Sequence, residues 1–181
     1  MGKVVSTTFI SVDGVMESHD QWGDFWSDET RAYKNQEVMA SDYQLLGRVT
    51  YELFAAAWPT ITDEGELGDR MNAMPKLVAS NTLPEGDATW NATVVRQDNL
   101  ADAVNRLKQD VQGDILIHGS ADLIGSLTEQ GLIDEYRLMV YPVVVGSGKK
   151  LFNGGFSKRT LKLVDTLHLP NGVVNLSYHP A

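Results

Sequence analysis

The chain has no cysteine, and that one absence removes disulfides, thiolate-bound zinc, iron–sulfur clusters and thiol nucleophiles together. Long apolar runs are missing as well. No stretch approaches the roughly 20 residues needed to cross a bilayer, and the start, Met1-Gly2-Lys3-Val4-Val5-Ser6, turns polar too soon for a signal peptide. A cytoplasmic location is the expectation. Positive charge is scarce: 15 Lys and Arg stand against 24 Asp and Glu, a formal net charge of −9. Nucleic acid, whose phosphates reward clustered cations, is therefore not an expected partner, and neither is a membrane. A small phosphorylated ligand is still compatible, because it needs only a local pocket of backbone N–H groups and one Arg.

Familiar nucleotide signatures are absent too. The first strand–helix turn has no Gly-x-Gly-x-x-Gly. Gly146-Ser147-Gly148-Lys149-Lys150 resembles a phosphate loop superficially, but the earlier glycine is missing and Lys150 stands where Ser or Thr would hold magnesium. It reads as a flexible turn. His118, His168 and His179 lie in or beside predicted strands without a second ligand at metal spacing, so they read as hydrogen-bonded structural histidines and no metal site is expected.

What is present suits one domain over residues 1–181: 181 residues, 43% hydrophobic and 22% charged, enough for a sizeable core. Lys3 to Val12 reads as a strand, and a polar, aromatic-dotted stretch follows. Ser27 is a plausible N-cap for a helix to about Met39, with Asp28 and Glu29 in its first turn. Tyr43 to Leu46 is a short strand ending at Gly47, and Val49 to Trp58 is a helix stopped by Pro59. A weaker helix carrying Leu67, Met71 and Met74 precedes strands at 76–79 and 93–95.

The clearest helical stripe is Leu100, Val104, Leu107 and Val111, with Gly113 as the stop. A strand at 115–118 enters a helix with Leu123, Ile124 and Leu127 on one face. A long strand is predicted over 135–145. Strands at 161–169 and 173–178 then flank Asn171-Gly172, a two-residue type I′ turn. Alternation followed by consecutive strands implies an α/β fold: a mixed, mostly parallel sheet with helices on both faces and a C-terminal antiparallel hairpin.

Two strand-to-helix junctions could carry chemistry. Leu46-Gly47-Arg48-Val49-Thr50 and His118-Gly119-Ser120-Ala121-Asp122 each place a glycine where backbone can approach a ligand beside unpaired helix N–H groups. Together they could grip a pyrophosphate, with Arg48 and Thr50 adding a cation and a hydroxyl. The alternative is that each glycine only makes a turn and Ser120 only caps a helix. Trp22, Phe25 and Trp26 could line a flat ligand or, as the favoured reading, pack their loop onto the sheet.

Taken in order, Ser11-Val12-Asp13-Gly14, Gly47-Arg48-Val49-Thr50, Val78-Ala79-Ser80-Asn81, His118-Gly119-Ser120-Ala121-Asp122-Leu123, Tyr141 to Gly148, and Leu151-Phe152 resemble the dihydrofolate-reductase-like family. That family includes the C-terminal reductase domain of the bifunctional riboflavin-biosynthesis deaminase-reductase, and the likeness spans nearly the whole chain. The resemblance implies an NADPH site. Gly47, Arg48 and Thr50 would hold the pyrophosphate and help select the extra phosphate. Ser80 and Asn81 would lie near the adenosine ribose, and Gly119, Ser120, Ala121 and Leu123 would cover the pyrophosphate from the other side. Ser11, Asp13 and Gly14 would border nicotinamide and substrate, with Trp22 nearby.

Asp13 is the leading polar candidate for catalysis, ahead of Glu17, His19 and Asp28. Residues 1–181 hold no counterpart of the deaminase half's His-x-Glu and Cys-x-x-Cys zinc signature, so deamination by that route is not expected. A folate reductase's carboxylate after a Trp and a Pro-containing turn has no clean counterpart, since residues 21–30 hold no Pro and Ser27 stands five past Trp22.

Three functions follow. The first is reduction of a ribosylaminopyrimidine, such as 5-amino-6-(5-phosphoribosylamino)uracil, with a basic spot drawn from Lys149, Lys150, Lys158 and Arg159. The second is dihydrofolate reduction, with a buried carboxylate facing the ring. The third is a nucleotide-binding accessory role without turnover. The expected partners are a small heterocyclic substrate and, by family analogy, a second copy in a homodimer.

Overall fold

The computed structural model describes residues 1–154 and 157–181. Eight strands form one sheet: β1 (Val4–Ser11), β2 (Ser41–Gly47), β3 (Lys76–Ala79), β4 (Ala92–Val95), β5 (Asp114–Ile117), β6 (Glu135–Tyr141), β7 (Leu161–His168) and β8 (Val174–Pro180). Their order is β4-β3-β2-β5-β1-β6-β8-β7. Every pairing from β4 to β6 is parallel, whereas β8 runs antiparallel to both β6 and β7. The mixed, mostly parallel sheet with an antiparallel C-terminal edge is the architecture expected from the alternation.

Five α-helices cover it: α1 (Asp28–Met39), α2 (Arg48–Ala57), α3 (Gly65–Ala73), α4 (Leu100–Asp110) and α5 (Ala121–Glu129). The residues sort them onto two faces. Val4 and Ile10 of β1 pack with Leu100 and Val104 of α4 and with Ile124 and Leu127 of α5. Val5 packs on the opposite side with Val38 of α1 and with Leu67 and Met71 of α3, joined by Phe54 of α2. This is the period-two alternation of a strand covered on both sides. Among the described residues, no helix is long and apolar enough to cross a membrane.

Two expectations need correction. The strand predicted over 135–145 ends at Tyr141, because Pro142 has no N–H to continue the ladder. The loop joining β7 to β8 holds three residues, since Leu169 N–H donates to Val173 O at 2.9 Å. Within it, Asn171 (φ 61°) and Gly172 (φ 79°) still adopt the positive angles that a type I′ turn demands.

Candidate active site

The strands β2 and β5 are neighbours, so their carboxyl ends set the two glycine junctions side by side. Gly47 N–H donates to Gly119 O at 3.0 Å. A Cβ on Gly47 would lie 2.5 Å from Ser120 Oγ, and one on Gly119 would lie 2.8 Å from Thr50 Oγ1. Gly47 has an ordinary φ of −73°, so the residue is small for space rather than for backbone freedom. No side chain caps α2, which leaves its first-turn N–H groups for an anion. In α5 the Ser120 hydroxyl accepts from Leu123 N–H at 3.4 Å. The first turn of α2, with close-set glycines beside it, suits a diphosphate.

The other residues assigned to cofactor divide by position. Ser80 and Asn81 follow β3 directly, and Gly47 pairs with Ala79 in the ladder, so they continue the same edge. Ser80 Oγ accepts from the N–H groups of Thr82 and Leu83, and Asn81 Oδ1 accepts from Gln97 N–H. Arg48 donates to both oxygens of Glu52 at 2.9 Å on the surface of α2. Leu123 is buried in the core beneath α5.

Beside these junctions a cavity of about 840 Å³ opens between the sheet, α1, α2 and α3. Thr50, Ser120 and Ala121 reach its wall, and Phe9, Leu53, Phe54 and Trp58 supply much of its apolar surface. The loop after β1 closes another side through Met16, Glu17, His19, Asp20 and Trp26. The cavity thus lies at the carboxyl ends of β1 and β5, where ligands of open α/β sheets collect.

Its most unusual group is Lys34, whose side chain is 10% exposed. Nζ donates to Thr7 Oγ1 and to Glu37 Oε2, each at 2.6 Å. Arg137 reaches Glu37 at 3.4 Å, Asp114 at 3.2 Å and Glu135 at 2.7 Å, extending the network across the sheet. Burial alone would push the Glu37 carboxyl up, but Lys34, Arg137 and Thr7 reverse this and hold it below its ordinary value. Glu37 stands behind Lys34, and Lys34 lines the cavity.

His118 also lines the cavity. The expectation of a hydrogen-bonded structural histidine fails here: Nε2 is buried with no partner among the described residues. Burial pushes its pKa down to about 4, and the nearby Lys34 charge acts in the same direction, so the ring is neutral. His19 on the loop is also lowered by burial.

Asp13 has a different occupation from the catalytic one expected. Its carboxylate accepts from Ser11 Oγ at 2.7 Å, Val145 N–H at 3.1 Å and Gly146 N–H at 2.8 Å. These contacts hold its pKa down at about 2, with the Ser11 hydroxyl the largest contributor. Asp13 clasps the segment after β6 to the end of β1. Gly14 takes a φ of 83° in the adjoining turn, and Ser11 Oγ also accepts from Val15 N–H. Trp22 packs edge-on against Tyr141 at 5.7 Å, as the packing alternative held.

The expected basic spot does not assemble. Lys149 lines the cavity but pairs with Asp122 at 2.5 Å, while Arg159 donates to Glu129 O at 2.7 Å. Ser11, Asp13, Gly14 and Trp22 do not line the cavity, and neither do Asp28, Lys150, Lys158 and Arg159.

Sequence reasoning passed over Lys34 and Glu37, because a Lys–Glu pair three apart on a helix ordinarily marks a solvated face. A signal was available. Between Asp28 and Met39 there are too few apolar residues to fill a helix's buried face, and α1 buries Thr30, Lys34, Glu37 and Val38 instead.

Comparison with known proteins agrees with this architecture. The profile of the RibD C-terminal domain family matches residues 2–175. The Bacillus subtilis protein YyaP is 37% identical over 141 residues, covering 76% of this chain and 73% of its own. A pyrimidine reductase-like protein of Corynebacterium diphtheriae superposes with a TM-score of 0.72 at 13% identity, over 99% of this chain and 92% of that one. The Thermotoga maritima diaminohydroxyphosphoribosylaminopyrimidine deaminase/5-amino-6-(5-phosphoribosylamino)uracil reductase gives 0.69 at 13% identity, over 99% of this chain and 57% of that longer one. Dihydrofolate reductase from Enterococcus faecalis gives 0.63 at 13% identity, over 99% and 96%. The fold is therefore dihydrofolate-reductase-like.

Proposed function

Because the chain belongs to the RibD C-terminal domain family, we propose that it is an NADPH-dependent reductase of a small nitrogen heterocycle, most like the 5-amino-6-(5-phosphoribosylamino)uracil reductases. The observation that carries this reading is the pair of glycine junctions, in mutual contact and opening beside one cavity of about 840 Å³. The first turn of α2, with Gly47 and Gly119, would hold the diphosphate. Arg48 would meet the 2′-phosphate, and Ser80 and Asn81 would flank the adenosine. Reduced nicotinamide supplies a hydride when bound. The protein's part is to hold the heterocycle in the apolar cavity, exclude water, and present a fixed charge where negative charge grows on the substrate.

Dihydrofolate is the less supported substrate. The polar groups that α1 offers to the cavity are cations, Arg31 and Lys34, and the buried carboxylate, Glu37, is held behind Lys34 by Lys34 and Arg137. A second copy of the chain is proposed as partner, through the outer strand β7.

A fluorescence titration with NADPH and NADH, followed by loss of reduced nicotinamide with pyrimidine substrates and dihydrofolate, tests the reading. NADPH is expected to bind and to be oxidised by a pyrimidine. Binding without oxidation by any heterocycle would leave the accessory role, and no NADPH binding would end the reductase assignment.

A further inference from the structure

The form in which the heterocycle enters is constrained by the charges around the cavity. Among the described residues the wall carries three cations, Arg31, Lys34 and Lys149. Each is already held by a carboxylate: Arg31 by Glu64, Lys34 by Glu37, and Lys149 by Asp122. Glu17 and Asp20 line the wall as well. A phosphate arm would meet neutralised cations and two further carboxylates, on a chain whose formal net charge is −9. Bringing a dianion there costs Coulomb energy that no free cation returns.

Lys34 differs from the other two cations. Arg31 and Lys149 are each about 40% exposed, against 10% for Lys34. An ammonium has three donors, and two of them go to Thr7 and Glu37. Its other contact among the described residues is the Phe9 ring, 5.1 Å from Nζ. A ligand oxygen is a stronger acceptor than a ring face. Phe54, Leu53 and Trp58 line the same cavity, surfaces suited to a flat ring.

We infer that the site takes an uncharged, planar oxo-heterocycle without a phosphate group, and that a ring carbonyl oxygen of this ligand accepts a hydrogen bond from Lys34. Glu37, Thr7 and Arg137 position the ammonium, which would stabilise negative charge developing on that oxygen. The chemistry rests on the reductase reading. The recognition does not, and the test separates them.

The probes are 5-amino-6-(ribosylamino)uracil and its 5′-phosphate, each titrated by quenching of Trp26 and Trp58, which line the cavity. The unphosphorylated form is expected to bind at least tenfold more tightly, with the gap narrowing as salt screens the carboxylates. Removing Lys34 alone would orphan Glu37, so the comparison is Lys34→Met in a Glu37→Gln background against Glu37→Gln alone. The double variant is expected to lose at least tenfold in affinity while keeping the thermal midpoint of its background.

Equal or tighter binding of the phosphate form, an unaffected double variant, or no binding of either probe would overturn the inference. NADPH is titrated into the same samples. A heterocycle that binds where NADPH does not would end the reductase reading and leave this one standing. NADPH binding with neither probe retained would do the reverse.

Discussion

His118 is a neutral base kept in a place where a proton would be costly. Its folded pKa, pushed down to about 4 from 6.5, means the unfolded chain binds more protons between those values. Stability therefore falls as pH drops from 6.5 towards 4, by up to about 1.4 kcal/mol per unit, and this contribution is flat below that window. Glu37 adds a loss further down: its carboxyl is held below 4.5, so its contribution is complete above that value and drains as pH falls through the depressed pKa. Thermal melts should show a midpoint falling between pH 6.5 and 4.5. His118→Phe should reduce the slope of that segment, leaving the part that His19, also lowered by burial, contributes and the decline at lower pH. An unchanged slope in the variant would show that the imidazole is not the titrating group.

Arg48 is the residue whose present partner matters least. It and Glu52 are both nearly half-exposed, four residues apart on α2, and such pairs are worth about 0.3–0.5 kcal/mol. Arg48 also opens α2, whose uncapped first-turn N–H groups favour an anion, so there a phosphate gains more than the guanidinium alone and can replace that carboxylate. Arg48→Ala should weaken NADPH by roughly tenfold and NADH by less than about twofold, because a guanidinium fork gains most from a phosphate. Equal losses in the two titrations would remove Arg48 from 2′-phosphate recognition.

At the scale of elements, the contact between the starts of α2 and α5 depends on one missing methyl. Gly47→Ala would set a Cβ 2.5 Å from Ser120 Oγ and 3.0 Å from Ser120 N, and the second is backbone that cannot swing away. The junctions must separate, at a cost of about 1–3 kcal/mol, and NADPH affinity should fall more than tenfold. Gly125→Ala is the control. It lies within α5 with open space around its would-be Cβ, so it should be neutral or stabilising by up to about 1 kcal/mol. If both variants bind NADPH like the parent, the junction is not the diphosphate cradle.

Elements of this kind were legible because each rests on local chemistry. Ser27 caps α1, its hydroxyl accepting from Thr30 N–H at 3.1 Å, and β3 occupies Lys76–Ala79 as read from its apolar run. The two junctions were visible as glycines between a strand and a helix. Their adjacency was not, because it depends on β5 inserting between β2 and β1, a fact of topology rather than of pattern. Lys34 stayed hidden for a related reason. It is held by Thr7 on a strand 27 positions away, and its partner Glu37 is held by Arg137 on another strand 100 positions from it, along a sequence that shows neither pairing.

The whole molecule ends in an open edge. β7 is the outermost strand, exposed over nearly its entire length, and Leu163, Val164 and Leu167 stand on it at 49%, 43% and 36% exposure. An uncovered strand with three apolar side chains is a surface that proteins ordinarily bury or blunt. The −9 net charge opposes association of two copies in general, but β7 carries Lys162 and Asp165 and is locally near neutral. Two copies meeting at this edge through a two-fold axis would cover the apolar side chains of both. Light scattering on the eluted protein should therefore give twice the 19.9 kDa chain mass. Val164→Lys with Leu167→Lys should yield a monomer that still binds NADPH, since β7 contributes nothing to the cavity wall. A parent chain that elutes as a monomer, or a double variant that stays dimeric, would place the interface elsewhere or remove it.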